Sequence, residues 1–459
     1  MKSLTKTLCN KWTLLTGISV FLFSACQKQI DPRKQNEIAP MANSNSNHGH
    51  LNQTKTFSSE VVLKWIDLNN RILIATARVG PGVKSNREFG YIGIAAYEAV
   101  VPGMPAYQSL STQLDQMPQM PSTQPGMAYH WTLSANAALA AMNRYFYPTA
   151  SAANKVSIDS LENALNTAYQ NEVNADEYQR SIQFGKDVAL KIFDWSKTDG
   201  ADHGFDADTL LAGPGFWVPT PPAFAVAVAP RWGSNRLFVQ GSIDDALPPP
   251  PLNYSENPSS DYYKMEKEVY DASVNLTLEQ RNIALFWLDA GFGAGGHWQS
   301  IIRQVLQNEN SALDIAALAY AKGGIYINDA SISSFKTKYF YSVQRPITYI
   351  RSVLNHPTWN SLIATPAHPD YGSAHTVQSI AVATALASIF GNNYSFMDHT
   401  NESIGMVPQS YQSFLDVAEQ VARARVYAGI HTRMGCEAGL NEGLKVAQNI
   451  YSRLKFLKE

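Results

Sequence analysis

Apolar residues recur every three to four positions through most of the chain, and that spacing predicts α-helices. It holds over SSEVVLKWIDLNNRILIATARV from Ser58, FGYIGIAAYEAVV from Phe89, HWTLSANAALAAMNRYFY from His130, ANKVSIDSLENALNTAYQ from Ala153 and YQRSIQFGKDVALKIFDWSK from Tyr178. The pattern resumes near Ser259 and continues through LTLEQRNIALFWLDA, SALDIAALAYAKGGIYINDASISSFKTKYFY, SAHTVQSIAVATALASIF and YQSFLDVAEQVARARVYAGI, with a last helix from about Cys436 to Phe456. Ser58, and Asn174 or Asp176, stand where capping side chains belong. No stretch alternates as a strand does, and there is no Asn-Gly hairpin signal. Between Gly213 and Asn257 the helical pattern gives way to Pro, Gly and aromatic residues, with Pro248 to Pro251 consecutive, which predicts a long ordered surface loop. The expected fold is all-α. One helical unit would cover 57–459, with an N-terminal half at 57–212, the loop at 213–257 and a C-terminal half at 258–459.

Composition narrows this picture. The formal net charge of -2 gives no global field to attract nucleic acid, so any anion binding must be local. The apolar run from Trp12 to Ala25 is too short to cross a bilayer and follows Lys2, Lys6 and Lys11, so residues 1–25 read as a secretory signal peptide. LFSAC sets Cys26 after two small residues, the pattern of a bacterial lipobox, in which cleavage precedes a lipid-bearing cysteine. An exported lipoprotein is expected, anchored by lipid at the periplasmic face or cell surface, with a polar tether at 26–56. With Cys9 in the signal and Cys26 lipidated, Cys436 is left alone, so no disulfide forms and Cys436 reads as a small buried hydrophobe.

Candidate chemistry gathers in the last third. KTKYFYSVQRP ending at Pro346, PDYGSAH ending at His375 and ARVYAGIH ending at His431 bring together Lys338, Arg345, Arg425, Ser373, His375 and His431 in a chain with only 10 histidines. Two guanidinium forks, one ammonium, the Ser373 hydroxyl and the Ala374 backbone N–H match the oxygens of a tetrahedral oxyanion such as phosphate or vanadate. Two histidines remain, one to attack or coordinate the central atom and one to move a proton. Lys338 and Arg345 lie two helical turns apart, which predicts that both leave one helix on the same side before Pro346 disrupts it. Arg425 and His431 do not share a face unless the chain breaks near Gly429.

These clusters resemble the three signature motifs of the superfamily uniting type 2 phosphatidic acid phosphatases with vanadium-dependent haloperoxidases. Lys338, Arg345 and Pro346 match the first motif throughout. In the second, Pro-Ser-Gly-His, Gly372 replaces the proline and Ala374 the glycine, while Ser373 and His375 match. In the third, Arg425 and His431 match, Ala424 replaces the serine, and Gly435 stands where the family has an aspartate that orients the histidine. Glu437 is the nearby carboxylate expected to substitute. The stretches around Trp217 and around Trp287, His297 and Trp298 are similar to bacterial haloperoxidase-like members. His368 stands where bromide-specific haloperoxidases carry a histidine, His297 reads either as a pocket entrance residue or as a hydrogen-bonded core histidine, and Phe335 reads either as core or as a pocket aromatic.

The resemblance implies helical bundles of the vanadium haloperoxidase and acid phosphatase type. It implies vanadate held at His431 and, through its oxygens, by Lys338, Arg345, Arg425, Ser373, Ala374 and His375, with His375 the acid–base group. Phosphate would occupy the same site. Three functions stay open: halide oxidation by hydrogen peroxide, hydrolysis of a small phosphoester through His431, and an oxyanion-binding lipoprotein without turnover.

Overall fold

The computed structural model describes residues 52–75, 82–289 and 293–459; the expected signal peptide, Cys26 and most of the tether lie outside them. The tether's end is already docked. Trp131 Nε1 donates to the Asn52 carbonyl, and Thr54 is buried with its hydroxyl on the Val100 carbonyl.

Among the described residues the helices are α1 (Glu60–Ala75), α2 (Val83–Glu98), α3 (Trp131–Phe146), α4 (Ala152–Tyr169), α5 (Ala175–Ser196), α6 (Asp261–Val274), α7 (Leu278–Phe286), α8 (Gly293–Asn308), α9 (Leu313–Tyr341), α10 (Pro346–Ser352), α11 (Ala374–Phe390), α12 (Phe414–Tyr427) and α13 (Arg433–Arg453). The all-α expectation holds, with one addition. A small antiparallel pair, β1 (Phe396–Asp398) and β2 (Gln409–Tyr411), is too short to show an alternating pattern in sequence. The final helix starts earlier than expected, because the Thr432 side chain caps it by accepting from Gly435 N. Asn174 caps α5, and the Ser58 hydroxyl accepts from Glu60 N at the start of α1, both as predicted.

Helices that are apolar on every side belong in the interior. The 29-residue α9 and α11 are of this kind and are buried along most of their length. α9 packs chiefly on α2 and α11, and α11 on α12 and α13, so the core draws on helices from both sides of the Pro-rich segment. α2 and α9 meet closely at Gly90 and Gly324, where a Cβ on Gly324 would stand 2.7 Å from the Gly90 Cα. No described helix is long and apolar enough to cross a membrane.

The Pro-rich segment is ordered and runs largely over the surface, as expected, with selected side chains sunk into the fold as anchors. Trp217, Trp232 and Phe238 are buried. Phe238 N and Val239 N donate to the Asp329 carboxylate of α9 at 2.8 and 3.0 Å, and Trp217 N donates to the Ser342 carbonyl at 2.7 Å. Carbonyls of Pro248 and Pro249 accept the hydroxyls of Tyr341 and Tyr371. Proline lacks an N–H, so side chains must hold such a segment in place.

Candidate active site

Lys338 and Arg345 do not share a helix. α9 stops at Tyr341, Ser342 takes a left-handed backbone (φ 49°), and Arg345 is extended at the start of α10. Pro346 occupies the first turn of that new helix, where its missing N–H costs nothing, so it begins a helix and does not break one. The turn still brings both cations to one place. Lys338 Nζ donates to the carbonyls of Pro369 and Asp370 at 2.9 and 3.0 Å, which clamps the second cluster against α9. Arg345 donates from Nε to the His368 carbonyl (2.6 Å), from Nη2 to His368 Nδ1 (3.0 Å), and from Nη1 to the Ile430 carbonyl (2.8 Å) and His431 Nε2 (3.1 Å).

Arg425 ends α12, and the break expected near Gly429 is present: Gly429 has φ 77°, which frees His431 from the helical face and turns it back to the same cluster. Arg425 Nη1 donates to the Trp287 carbonyl at 2.6 Å, while its buried Nε has no partner. Ser373 stands at the N-cap position of α11 without a side-chain capping bond, so Ala374 and His375 carry N–H groups in the first turn, which have no partner within the helix.

The carboxylate missing from the third cluster comes from the second. Asp370 Oδ1 lies 2.5 Å from His431 Nδ1, a close contact although the pair is not aligned as a hydrogen bond. Thr432 Oγ1 donates to Asp370 Oδ2 at 3.1 Å. A Cβ on Gly435 would stand 3.2 Å from that same oxygen, so Asp370 fills the space that a side chain at position 435 would need. Glu437 does not substitute: it is exposed on α13 beside Arg433. With Arg345 donating to Nε2 and Asp370 beside Nδ1, the ring proton belongs on Nδ1 and the Nε2 lone pair points away from it. Burial, and then Arg345, Lys338 and Arg425, hold His431 well below the ordinary histidine range, so the ring is neutral.

His375 is a quarter exposed and lines the cavity, with Nε2 3.2 Å from Asp289 Oδ2, a close contact not aligned as a hydrogen bond. Asp289 also meets His297, whose other ring nitrogen meets Asp398. His297 is therefore a buried histidine with two carboxylate partners and does not line the cavity. His368, Phe335, Ala374, His375, Arg425 and His431 do line it, in a volume of about 580 Å³. Phe335 is thus both core and pocket. Cys436 is a buried free thiol pushed up to about 12 by burial, as a small hydrophobe would be. His399 is exposed beside Glu402 and takes no part.

A tetrahedral oxyanion fits this donor set. Three buried cations gather here, with Asp370 Oδ1 3.8 Å from Arg345 Nη1, Glu442 acting on Lys338 and Asp289 on Arg425. Burial and the neighbouring Arg345 drive Lys338 well below its ordinary range. An anion would relieve that repulsion and would satisfy Arg425 Nε and the first N–H groups of α11.

Fold and site together describe an all-helical protein whose three buried cations and two histidines, His375 and His431, gather at one cavity. Residues 319–459 match the family described as the VCPO second helical-bundle domain. A solved structure described as the first bacterial vanadium-dependent iodoperoxidase superposes with a TM-score of 0.80 at 29% identity, covering 88% of this chain and 98% of its own. Holo-type and apo-type bacterial vanadium-dependent chloroperoxidases share the fold at TM-scores of 0.63 and 0.64, with 18% and 16% identity; both cover 82% of this chain, and 93% and 96% of their own. No curated protein matches the sequence. The family match over 319–459 and these superpositions support the vanadium haloperoxidase superfamily.

Proposed function

We propose that this protein is a vanadium-dependent haloperoxidase that oxidises halide with hydrogen peroxide, carried on a lipid anchor at Cys26. The observation that carries the reading is the state of His431: a neutral ring with Asp370 beside Nδ1, Arg345 at Nε2, and Lys338 and Arg425 acting on it electrostatically. His431 Nε2 would bind the central atom of vanadate. Lys338, Arg345, Arg425, the Ser373 hydroxyl and the Ala374 N–H would hold its oxygens. Bound vanadate supplies Lewis-acid activation of peroxide toward halide. Each turnover consumes peroxide, halide and one proton to give hypohalous acid and water. His375 carries that proton on the ring nitrogen facing the cavity, while Asp289 fixes the other.

The phosphatase reading gains from the same geometry, because a histidine backed by a carboxylate also serves as a nucleophile toward phosphorus. One experiment separates the readings. Protein beginning at Gln27 is reconstituted with orthovanadate and tested for halogenation of monochlorodimedone with peroxide and iodide, bromide or chloride, beside a phosphomonoester control without vanadate. Halogenation is expected, lost in His431→Ala and suppressed by inorganic phosphate. Phosphate release alone would move the protein to the phosphatases, and silence in both assays with vanadate still bound would leave a binding protein.

A further inference from the structure

Beyond His375 runs a chain of buried charge, most of which the mechanism above does not use. Asp289 Oδ1 lies 2.6 Å from His297 Nδ1, and His297 Nε2 lies 2.8 Å from Asp398 Oδ2. All three side chains are fully shielded from solvent. A neutral imidazole has a single N–H, so one of its two carboxylate contacts would lack a hydrogen. An imidazolium donates to both. Burial opposes that charge, but the two carboxylates outweigh it and push His297 up to about 10. The Trp287 ring stacks on His297 with centroids 4.0 Å apart.

Asp398 in turn is fixed at Oδ1 by Thr400 N (2.9 Å), Thr400 Oγ1 (2.6 Å) and Gln304 Nε2 (3.2 Å). Asp289 holds its place with a left-handed backbone, φ 51°, a conformation tolerated where a side chain must be aimed. The other charged and titratable groups facing this chain are Arg425, which acts on Asp289, and Tyr411, which acts on both carboxylates.

We propose that His297 and Asp398 are positioning residues for the acid–base step: a doubly protonated His297, clamped between the two carboxylates, keeps Asp289 ionised and its Oδ2 within 3.2 Å of His375 Nε2. The inference rests on the acid–base role given to His375 above. His297 touches neither substrate nor oxyanion and acts through Asp289. Burial and then Arg425 lower His375 from its ordinary range while Asp289 opposes them, and the His297 charge adds to the lowering.

The test is NMR of the full protein labelled at histidine, free and with inorganic phosphate, beside His297→Gln, Asp398→Asn and Asp398→Glu. The wild type is expected to show two His297 ring N–H protons throughout the neutral range. In Asp398→Asn one of them disappears. In both Asp398→Asn and His297→Gln the His375–Asp289 pair keeps its proton to a pH higher by about one unit, because a nearby positive charge is gone. Asp398→Glu restores the wild-type titration, and phosphate still binds in all three variants. A single His297 N–H in the wild type would overturn the proposal without recourse to any variant. An unmoved His375 titration in variants that bind phosphate would do the same. Neither readout depends on halide turnover, so a failed halogenation assay leaves this test standing on its own.

Discussion

Asp370 and Gly435 show how one carboxylate position can be supplied from two places in a chain. Asp370 approaches His431 from the loop before α11, and the oxygen it gives to Thr432 stands where a side chain on residue 435 would enter. Removing Asp370 leaves the His431 tautomer unsupported, and losses of this kind typically reach about 10–100-fold in affinity or activity. Asp370→Ala is expected to weaken phosphate and vanadate binding by that factor, measured by calorimetry. Gly435→Asp alone sets two buried carboxylates together and lowers stability. Combining the two changes places a carboxylate back beside Nδ1 and recovers most of the affinity. A double variant no better than Asp370→Ala would show that the carboxylate does not serve through His431. In sequence Asp370 lay inside the second cluster but at no motif position, and nothing in a linear reading tells that a residue 61 places before His431 will meet its ring.

The contact of α9 with α13 decides how Lys338 is held. Glu442 on α13 accepts the hydroxyls of Ser333 (2.7 Å) and Thr337 (2.9 Å), which precede Lys338 on α9. Burial pushes its carboxyl up to about 7 from an ordinary 4.5, so the folded protein keeps a proton there that the unfolded chain releases. The folded state binds the extra proton between those two values, and stability from this group therefore falls as pH rises through that window. Glu442→Gln lacks that decline. Its stability relative to the wild type should improve between pH 4.5 and about 7 by up to about 3 kcal/mol, measured as denaturant midpoints at constant slope. A difference independent of pH would mean that Glu442 titrates normally. Periodicity gave away α9, α11 and α12, but not the seven-residue α10, where too few apolar repeats exist to read a period, or α8, whose apolar repeat at Trp298, Ile301, Ile302 and Val305 begins only after a glycine-rich start.

Across the whole molecule, helices from both sides of the Pro-rich segment build one core, and that segment is bonded to α9 and to the loops around the site. Its proline, glycine and aromatic residues correctly marked it as an irregular surface segment, but did not show that Trp217, Trp232 and Phe238 would be buried as its anchors. The lipid anchor belongs to this scale too, since it would tether the whole catalytic unit to a membrane through Cys26. Growth with a labelled fatty acid should label the wild type and leave Cys26→Ser unlabelled; an unlabelled wild type would remove the anchor from the proposal.

The helical class, the break at Gly429, the cap at Asn174 and the residue types of the oxyanion cluster are all written in the linear chain, because they rest on local periodicity, backbone freedom and donor chemistry. Packing in three dimensions was needed to establish that Arg345 enters from a new helix, that Asp370 and not Glu437 backs His431, and that His297 joins Asp289 to Asp398. Those pairings join residues far apart in the chain, and their partners are chosen by which helices pack together, an outcome that no short window of sequence contains.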